Sequence, residues 1–581
     1  MIQGVGVTMK IQRVRFKGLL SILWLAMSLN AQTRITPQDI VKPVQARNGM
    51  VVTSEPLATQ VGVHILEAGG NAVDAAVAVG YALAVTLPRA GNIGGGGFML
   101  VYSARTGEVT AIDYRETAPV GAHRDMYLDD DGAVDTELVR HSHLASGVPG
   151  TVAGLNLALQ QFGTMSLSEL IDPAIRLAEE GFIVSPELGR SLESASRLLG
   201  QWASSRKVFY KSDASVYESG DRFVQPDLAK TLSAIRDNGP DVFYAGAIAD
   251  LIVREMAQHG GLITKTDLAG YIPVVRKPVH GTYRGYDVYS MAPPSSGGPH
   301  IVQMLNILEG FDLSASGHNT AAAIHLMTEV MKRAYADRSK YLGDPGFIRI
   351  PLDGILSKSY AADLRKTIDP ARVTPSSAIA PGHPPGAEST ETTHFSIVDQ
   401  WGNAVSNTYT INFSYGSGIV VEGAGFLLNN EMDDFSARPG FPNDDGLVGG
   451  EANSIAPRKR MLSSMSPTII LKDGRPFLVT GSPGGSRIIT TTLQIILNVI
   501  DYGMNVQEAV NAPRMHHQWL PDVIRLEEGF SADTIRLLKE MGYVVKIGEA
   551  MGSTNSIHFD PVSGWILGAA DPRRSACAAG H

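Results

Sequence analysis

The stretch that decides the fold is ESTETTHFSIVDQWGNAV, residues 388–405. The chain ahead of it, PSSAIAPGHPPGAEST at 375–390, contains four prolines and no apolar period, which is typical of a linker. Behind it, HFSIVDQ and AVSNTYTI flank a WGN turn in the manner of a β-hairpin. Thr392 and Thr393 stand where the linker ends and the first strand begins. The pattern therefore predicts a rigid strand that directly follows a segment open to cleavage.

A threonine at this junction has a specific chemical use. A hydroxyl is a poor nucleophile unless a base lies beside it. An α-amino group, with a pKa of about 7.7–8.0, is neutral about a tenth of the time at pH 7, whereas a lysine amine is almost always charged. Cleavage before Thr392 would therefore place nucleophile and base on one residue. From the residues alone, the alternative is that Thr392 and Thr393 are ordinary strand residues, since β-branched side chains favour strands.

Sequence periodicity on both sides of this junction predicts mixed secondary structure. Residues 57–70 and 71–88 have helical patterns, 91–119 reads as a hairpin with its turn near 105–107, and 150–370 is mostly helical. After the junction, a hairpin at 466–481, a helix at 487–503 and further strands at 555–572 are predicted. Strands at both ends with helices between them predict sheets covered by helical layers, an α/β or α+β sandwich.

Composition narrows the class of partner. The chain has 581 residues, of which 44% are hydrophobic and 18% charged, as expected of a compact globular protein. The net charge of −9 argues against nucleic acid or an anionic membrane surface as the main partner, because both require a basic face. A small-molecule or peptide partner is therefore expected.

The N-terminus predicts export. Four cations between residues 10 and 17 precede the apolar run GLLSILWLAMSL at 18–29, which is typical of a signal peptide spanning residues 1–31. The alternative is a membrane anchor, but the run is shorter than the roughly 20 residues that span a bilayer. We therefore expect a periplasmic or secreted protein. The single cysteine, Cys577, excludes an intrachain disulfide.

Five motifs carry a family resemblance. In chain order they are TTHFSIVDQWGNAVSNTYTIN (392–412), LLNNEMDDFSARPG (427–440), MLSSMSPT (461–468), VTGSPGGSRIITT (479–491) and NAPRMHHQWLPD (511–522). Together they resemble the γ-glutamyltransferase (γ-glutamyl transpeptidase) family, of the N-terminal-nucleophile hydrolase type. The resemblance runs from about Gln45 to Arg574. It implies an α+β fold, namely a four-layer αββα sandwich, and a precursor that cleaves its own Glu391–Thr392 bond.

The resemblance also implies how the processed chain works. A large subunit, residues 32–391, and a small subunit, residues 392–581, would remain together as a heterodimer. Thr392 would be the nucleophile, Thr410 would orient it, and Gly484 and Gly485 would form the oxyanion hole. The local sequence also supports an anion-binding loop here, because GSPGGSR at 481–487 is predicted to lead from a strand into a helix. Backbone N–H groups at such a junction can converge on an anion. A phosphate loop is the alternative, but the Lys-Ser/Thr ending is missing.

The implied substrate is a zwitterion. A γ-glutamyl compound such as glutathione carries an α-carboxylate and an α-ammonium beyond the scissile amide, and the implied acceptors are water, amino acids and dipeptides. The resemblance assigns Arg115, Ser463 and Ser464 to the carboxylate, and Asn412, Glu431 and Asp434 to the ammonium. A planar guanidinium suits bidentate recognition of a carboxylate. No cofactor is predicted.

Two positions depart from the family pattern. Glu431 stands where many bacterial relatives have glutamine, which should strengthen the hold on the ammonium. Asp445, in the lid loop PGFPNDDGLVGG at 439–450, occupies a place often taken by an aromatic residue, so the lid is expected to close less tightly.

Several alternatives stay open at this stage. A related acylase acting on glutaryl groups is one, although Arg115, Glu431 and Asp434 together favour a group with an ammonium. An exported scaffold protein that keeps the fold without the chemistry is another. His516 and His517 suggest a metal, but adjacent residues point apart and no third ligand has zinc spacing, so packing is predicted. GNIGGGG at 91–97 is interpreted as a tight structural turn near the site.

Overall fold

The computed structural model describes residues 41–382, 393–441 and 447–581. The predicted signal peptide, the Glu391–Thr392 bond and Asp445 lie outside the described residues. Within the described part of the chain, no helix combines the length and the hydrophobicity needed to cross a bilayer.

Two seven-stranded antiparallel sheets form the centre of the fold. The first sheet contains, in spatial order, Val44–Ala46, Ile566–Ala569, Ser556–Phe559, Arg475–Thr480, Thr468–Lys472, Tyr286–Ser290 and Val279–Tyr283. The second contains Cys577–Gly580, Met50–Thr53, Thr393–Val398, Ala404–Thr410, Gly96–Ser103, Glu108–Tyr114 and Val274–Arg276. Two small sheets lie outside this pair: Met515–His516, Ile524–Glu527 and Val545–Gly548 form one, and Phe182–Ile183 and Arg222–Phe223 the other.

Helices cover the outer face of each large sheet. The hydrophobic core on the second sheet is built mainly from Pro56–Glu67, Ala72–Thr86, Thr151–Phe162, Leu167–Glu180, Pro186–Leu199, Ala203–Phe209, Pro226–Asn238, Asp241–Tyr244, Ala247–His259 and Lys265–Ala269. The core on the first sheet is built mainly from Gly297–Leu308, Leu313–Ser316, Ala321–Tyr341, Leu352–Ile355, Lys358–Lys366, Arg487–Ile500, Val506–Asn511 and Ala532–Glu540. Shorter helical segments occur at Thr136–His141, His143–Ala145, Ser376–Ala378, Glu431–Asp434 and Glu451–Asn453.

Alternating side chains on the strands create the layers. In Gly96–Ser103, Phe98 and Leu100 point into the core between the two sheets, whereas Met99 and Val101 point into the helical core. This is the period of two that a strand imposes when both of its faces are buried. Ile469 from the other sheet meets Phe98 and Leu100 in the same central core. The order helix, sheet, sheet, helix confirms the predicted α+β four-layer sandwich.

The strands on either side of the predicted cleavage point share one sheet. Thr393–Val398 lies between Met50–Thr53 and Ala404–Thr410, with Ser396 opposite both Val52 and Ser406. Ala404–Thr410 in turn pairs along its whole length with Gly96–Ser103. The segments before and after residue 392 therefore interleave within a single hydrogen-bonded ladder.

Local sequence patterns predicted most of the elements near the site. The helices predicted at 57–70 and 71–88 are observed at Pro56–Glu67 and Ala72–Thr86, and the hairpin at 466–481 turns at Asp473 and Gly474, both with positive φ. The description of 150–370 as mostly helical was incomplete. This region also contains three strands. Val274–Arg276 is the edge strand of the second large sheet, and Tyr286–Ser290 and Val279–Tyr283 are the last two strands at one side of the first.

Strands Thr393–Val398 and Ala404–Thr410 form the central hairpin, and its turn is fixed by one buried carboxylate. Asp399 accepts hydrogen bonds from the N–H groups of Trp401 and Asn403, each at 2.9 Å. Its second oxygen accepts from the N–H of Ala72, the first residue of helix Ala72–Thr86, also at 2.9 Å. A single side chain thus joins the hairpin to the N-terminus of the central helix, where a negative charge is favourable.

We expect Asp399→Ala to lower the thermal midpoint, because a hydrogen bond to a charged group contributes about 1.5–3 kcal/mol and the buried donors would lose their acceptor. Asp129→Ala is the matched control. Asp129 likewise accepts hydrogen bonds from the N–H groups of Asp131 and Ala133, but its side chain is exposed. The free energy of unfolding should therefore change by no more than about 0.5 kcal/mol in this variant. Equal midpoints for the two variants, measured by circular dichroism, would contradict this role.

Candidate active site

A cavity of about 250 Å³ lies where the two strands of the central hairpin end. It is lined by Ser54, Leu87, Arg89, Ala90, Thr393, Thr410, Asn412, Phe413, Ser414, Pro483, Gly484, Arg487 and Arg574. Thr393 begins the first strand and is buried, and Thr410 ends the second. The predicted nucleophile, Thr392, lies outside the described residues, but the residue that follows it lines this cavity.

The predicted oxyanion loop reaches the same cavity. Gly484 and Gly485 have φ of +128° and +68° and lie between strand Arg475–Thr480 and helix Arg487–Ile500. Their carbonyls accept from the N–H groups of Arg487 and Ile488, at 3.1 and 3.0 Å, which fixes both peptides at the start of the helix. A Cβ at Gly484 would lie 3.2 Å from the Cα of Gly552. Both the positive φ and this close approach favour glycine.

Thr410 and Asn412 connect the cavity to the acidic segment. The Thr410 hydroxyl accepts a 2.7 Å hydrogen bond from the N–H of Asn412, so its own proton remains available for donation. The Asn412 side chain donates to the carbonyl of Asn430 at 3.0 Å. Asn430 directly precedes the short helix Glu431–Asp434, so the two predicted ammonium ligands on that helix are held next to the end of the strand.

Arg115 lies at the centre of a buried cluster. Its side chain is fully buried and forms ion pairs with Glu431 and Asp434. Its Nε and Nη2 also donate to the carbonyls of Met461 and Leu462, each at 3.2 Å. The predicted carboxylate-binding cation and two of the predicted ammonium ligands are therefore in direct contact.

The predicted serines follow immediately in the chain. Ser463 and Ser464 are fully buried. The Ser463 hydroxyl accepts from the N–H of Met465 at 3.1 Å, and its carbonyl accepts from the N–H of Ser296 at 2.8 Å. The two carbonyls before Ser463 accept from Arg115, so both serines directly follow a segment that is bound to the Arg115 cluster.

Glu116 is a cluster member that the sequence analysis missed. It is fully buried, and its Oε2 lies 3.4 Å from the Arg115 guanidinium. Within the described residues, its Oε1 has no hydrogen-bond partner, and the same holds for Oε2 of Glu431. The signal was present in the DYRETAP motif, where this acid directly follows Arg115, but nothing local shows that both side chains turn inward.

The cluster holds more acid than base. Burial raises the pKa of Glu116 to about 7, and the nearby Arg115 only partly offsets this effect. Burial likewise raises the pKa of Glu431 and of Asp434 well above their ordinary values, against the opposing effect of Arg115. A further cation beside these three acids, such as an ammonium group, would favour their ionised forms and would be attracted by them.

The sequence analysis also singled out His516, His517 and the glycine run at 91–97, and each makes packing or hydrogen-bond contacts. His516 contacts Thr490 and Gln518, and burial lowers its pKa to about 3. The neighbouring His517 instead contacts Asp522, at 3.1 Å. In the glycine run, a Cβ at Gly95 would lie 1.9 Å from the carbonyl oxygen of Thr410, so this turn packs directly behind the cavity, as predicted.

The fold is that of an N-terminal-nucleophile hydrolase. The structure is similar to that of a cephalosporin acylase from Bacillus halodurans, with a TM-score of 0.83, 29% identity, and coverage of 95% of this chain and 98% of the other. It is also similar to Helicobacter pylori γ-glutamyltranspeptidase, with a TM-score of 0.56, 51% identity, and coverage of 57% of this chain and 94% of the other.

The chain belongs to the γ-glutamyltranspeptidase family, whose model matches residues 58–581. It is 57% identical over 537 residues to a glutathione hydrolase proenzyme of Escherichia coli (strain K12), covering 92% of each chain. It is 39% identical over 537 residues to an acylase ACY 1 proenzyme of Pseudomonas sp. (strain SE83), covering 91% of this chain and 93% of the other. The family predicted from the motifs is confirmed.

The pKa of Glu116 leads to a prediction about stability and pH. A folded-state pKa near 7, above the ordinary 4.5, means that ionising Glu116 costs more in the folded than in the unfolded chain. Its contribution to stability is therefore most favourable below pH 4.5 and is lost as the pH rises through 7. Glutamine does not ionise, so Glu116→Gln lacks this loss of stability. The thermal midpoint of the variant minus that of the parent should therefore increase between pH 5 and pH 8. A midpoint difference that does not change with pH would contradict a buried, titrating Glu116.

Proposed function

We propose that the chain is an autoprocessed γ-glutamyltransferase and glutathione hydrolase. The observation that carries the proposal is the buried cluster of Arg115 with Glu116, Glu431 and Asp434, joined through Asn412 to the cavity at Thr393 and Thr410. A γ-glutamyl group presents an α-carboxylate and an α-ammonium side by side, and this cluster offers both complements.

Processing is the first step of the proposed mechanism. Thr392 Oγ attacks the carbonyl carbon of Glu391, the C–N bond breaks, and the acyl group moves from nitrogen to oxygen as an ester. The shift frees the α-amine of Thr392, which takes up the hydroxyl proton, and water then hydrolyses the ester, which releases the carboxylate of Glu391 and restores the hydroxyl of Thr392. The products are a large subunit, residues 32–391, and a small subunit, residues 392–581. Their strands interleave within both sheets, which supports a stable heterodimer.

Catalysis then uses the new chain end. The α-amine of Thr392 accepts the hydroxyl proton while Oγ attacks the γ-glutamyl carbonyl, and the N–H groups of Gly484 and Gly485 stabilise the oxyanion. The proton passes to the leaving amine, and an acyl ester remains on Thr392. Water converts the ester to glutamate, or an acceptor amine converts it to a new γ-glutamyl compound. Loss of one oxyanion donor typically costs about 2.7–4 kcal/mol of transition-state stabilisation.

A glutaryl acylase is the second candidate, because acylases occur among both the relatives and the similar structures. A glutaryl group carries the carboxylate but no ammonium. With a glutaryl group bound, the three acids Glu116, Glu431 and Asp434 would have Arg115 but no substrate ammonium as a positively charged neighbour. The charge of the cluster therefore favours the glutamyl group over the glutaryl group.

The described lining of the cavity has a basic side. Arg89, Arg487 and Arg574 line it, and no aspartate or glutamate belongs to its described lining. Arg89 is paired with Glu187, whereas Arg487 and Arg574 form no ion pair within the described residues. Burial and the nearby Arg89 lower the pKa of Arg574 to about 10, so an anion here would relieve repulsion between cations. We assign this side to the carboxylate of the peptide part of the donor, or of the acceptor.

We also propose export through the signal peptide at residues 1–31, with the processed enzyme acting in the periplasm or the medium. The composition of that segment supports this location. Its substrates there would be glutathione and other γ-glutamyl compounds, with amino acids and dipeptides as acceptors.

We expect Thr392→Ala to abolish both processing and activity, because one hydroxyl performs both attacks. A denaturing gel should show a single uncut chain, and release of nitroaniline from γ-glutamyl-p-nitroanilide should fall to background. Thr390→Ala, two residues earlier in the same linker, is the matched control and should process normally. Full turnover by intact Thr392→Ala would remove this residue from its role. A glutaryl anilide cleaved as fast as the γ-glutamyl anilide by the parent protein would favour the acylase.

We expect Arg574→Gln to weaken transfer to glycylglycine about 10-fold or more, because a hydrogen bond to a charged group contributes about 1.5–3 kcal/mol. Glycylglycinamide, which lacks the carboxylate, should be used equally well by parent and variant. The ratio of kcat/KM for the two acceptors removes any general effect of the substitution on stability. Arg105→Gln, at an exposed turn, is the control. An unchanged ratio in Arg574→Gln would contradict the assignment.

A further inference from the structure

Three side chains of metal-ligating type meet outside the described lining of the cavity. They are His143, in the short helix His143–Ala145, and Glu255 and His259, in helix Ala247–His259. Their ligand atoms all lie within 4.8 Å of one another, and they form the one such group of histidine, cysteine, aspartate or glutamate in the described part of the chain. The mechanism proposed above uses none of them.

The geometry converges on one carboxylate oxygen. Oε1 of Glu255 lies 3.0 Å from Nε2 of His143 and 3.7 Å from Nε2 of His259. Ligand atoms around a tetrahedral zinc ion, with bonds of 2.0–2.2 Å, are about 3.3 Å apart, so these two separations bracket the required value. Glu255 and His259 are four residues apart, which places both side chains on one face of the helix.

The surroundings hold the three side chains in this arrangement. The second oxygen of Glu255 accepts a 3.2 Å hydrogen bond from the N–H of Glu422, which orients the carboxylate as outer contacts do in metal sites. The two imidazoles stack with centroids 4.7 Å apart, and the Trp202 ring packs edge-on against both, at 4.8 and 5.2 Å. An aromatic wall of this kind limits the access of water from one side.

The cluster is closed on one side and open on the other. His143 and Glu255 are almost fully buried, whereas the side chain of His259 is 41% exposed. One carboxylate and two imidazoles form a donor set that zinc accepts.

We propose that His143, Glu255 and His259 bind a divalent transition-metal ion of the zinc type, with a fourth coordination position open to solvent beside His259. The sequence does not reveal this site, because His143 and Glu255 are 112 residues apart. Three residues beyond His143, Ser146 donates to the carbonyl of Asn429 at 2.8 Å, two residues before Glu431. The ion would therefore brace backbone that leads to the short acidic helix Glu431–Asp434.

The test is zinc binding by untagged protein that has been stripped with a chelator and dialysed. Isothermal titration with zinc chloride should give one strongly bound ion per chain. His259→Gln should weaken binding at least about 100-fold, because loss of an outer contact alone costs 10–100-fold. His123→Gln, which removes an exposed histidine outside the cluster, should bind as the parent does.

Two further measurements separate site loss from misfolding. In chelator, His259→Gln should match the thermal midpoint of the parent, since the residue is exposed, and added zinc should raise the midpoint of the parent alone. Cobalt, as a spectroscopic substitute, should give the visible bands of a low-symmetry site in the parent and lose them in the variant. Absence of a stoichiometric ion in the parent, or equal zinc affinity in His259→Gln and the parent, would overturn the proposal.

Discussion

The buried guanidinium of Arg115 is the interaction on which the site depends. It ties the end of strand Glu108–Tyr114 to the helix Glu431–Asp434 through two ion pairs, and to the loop before Ser463 through two carbonyls. A buried charge that loses its partners costs several kcal/mol, so none of these segments can move away alone. Under the proposed function, the same interaction would fix the position of both halves of a zwitterion site. Binding geometry and local stability therefore have one physical origin.

The sandwich makes a cut chain compatible with a stable fold. Thr393–Val398 is paired on both sides, and each large sheet contains strands from both halves. Separation of the halves would break whole ladders of backbone hydrogen bonds and expose the core between the sheets. A new chain end at the start of this strand would thus be held by the ladder, which is the rigidity that an N-terminal nucleophile requires.

Charge is distributed across the cavity in a way that matches a γ-glutamyl peptide. Acidic side chains predominate around Arg115, whereas Arg487 and Arg574 line the cavity. A γ-glutamyl peptide carries its ammonium at one end and a peptide carboxylate at the other. Under the proposed function, this complementarity would separate glutamyl from glutaryl donors by a difference in charge, whereas the shared fold does not distinguish them.

The sequence by itself determined the elements and the family. Periodicity located the helices at Pro56–Glu67 and Ala72–Thr86 and the hairpins near the site, because capping, turn chemistry and alternation act between residues close in the chain. The motifs named the residues around Arg115. Only the tertiary structure decided that Glu116 turns inward beside Arg115, that Arg487 and Arg574 meet at one cavity, and that His143 reaches Glu255. These side chains come from segments far apart in sequence, and their convergence depends on how helices and sheets pack, which no local pattern records.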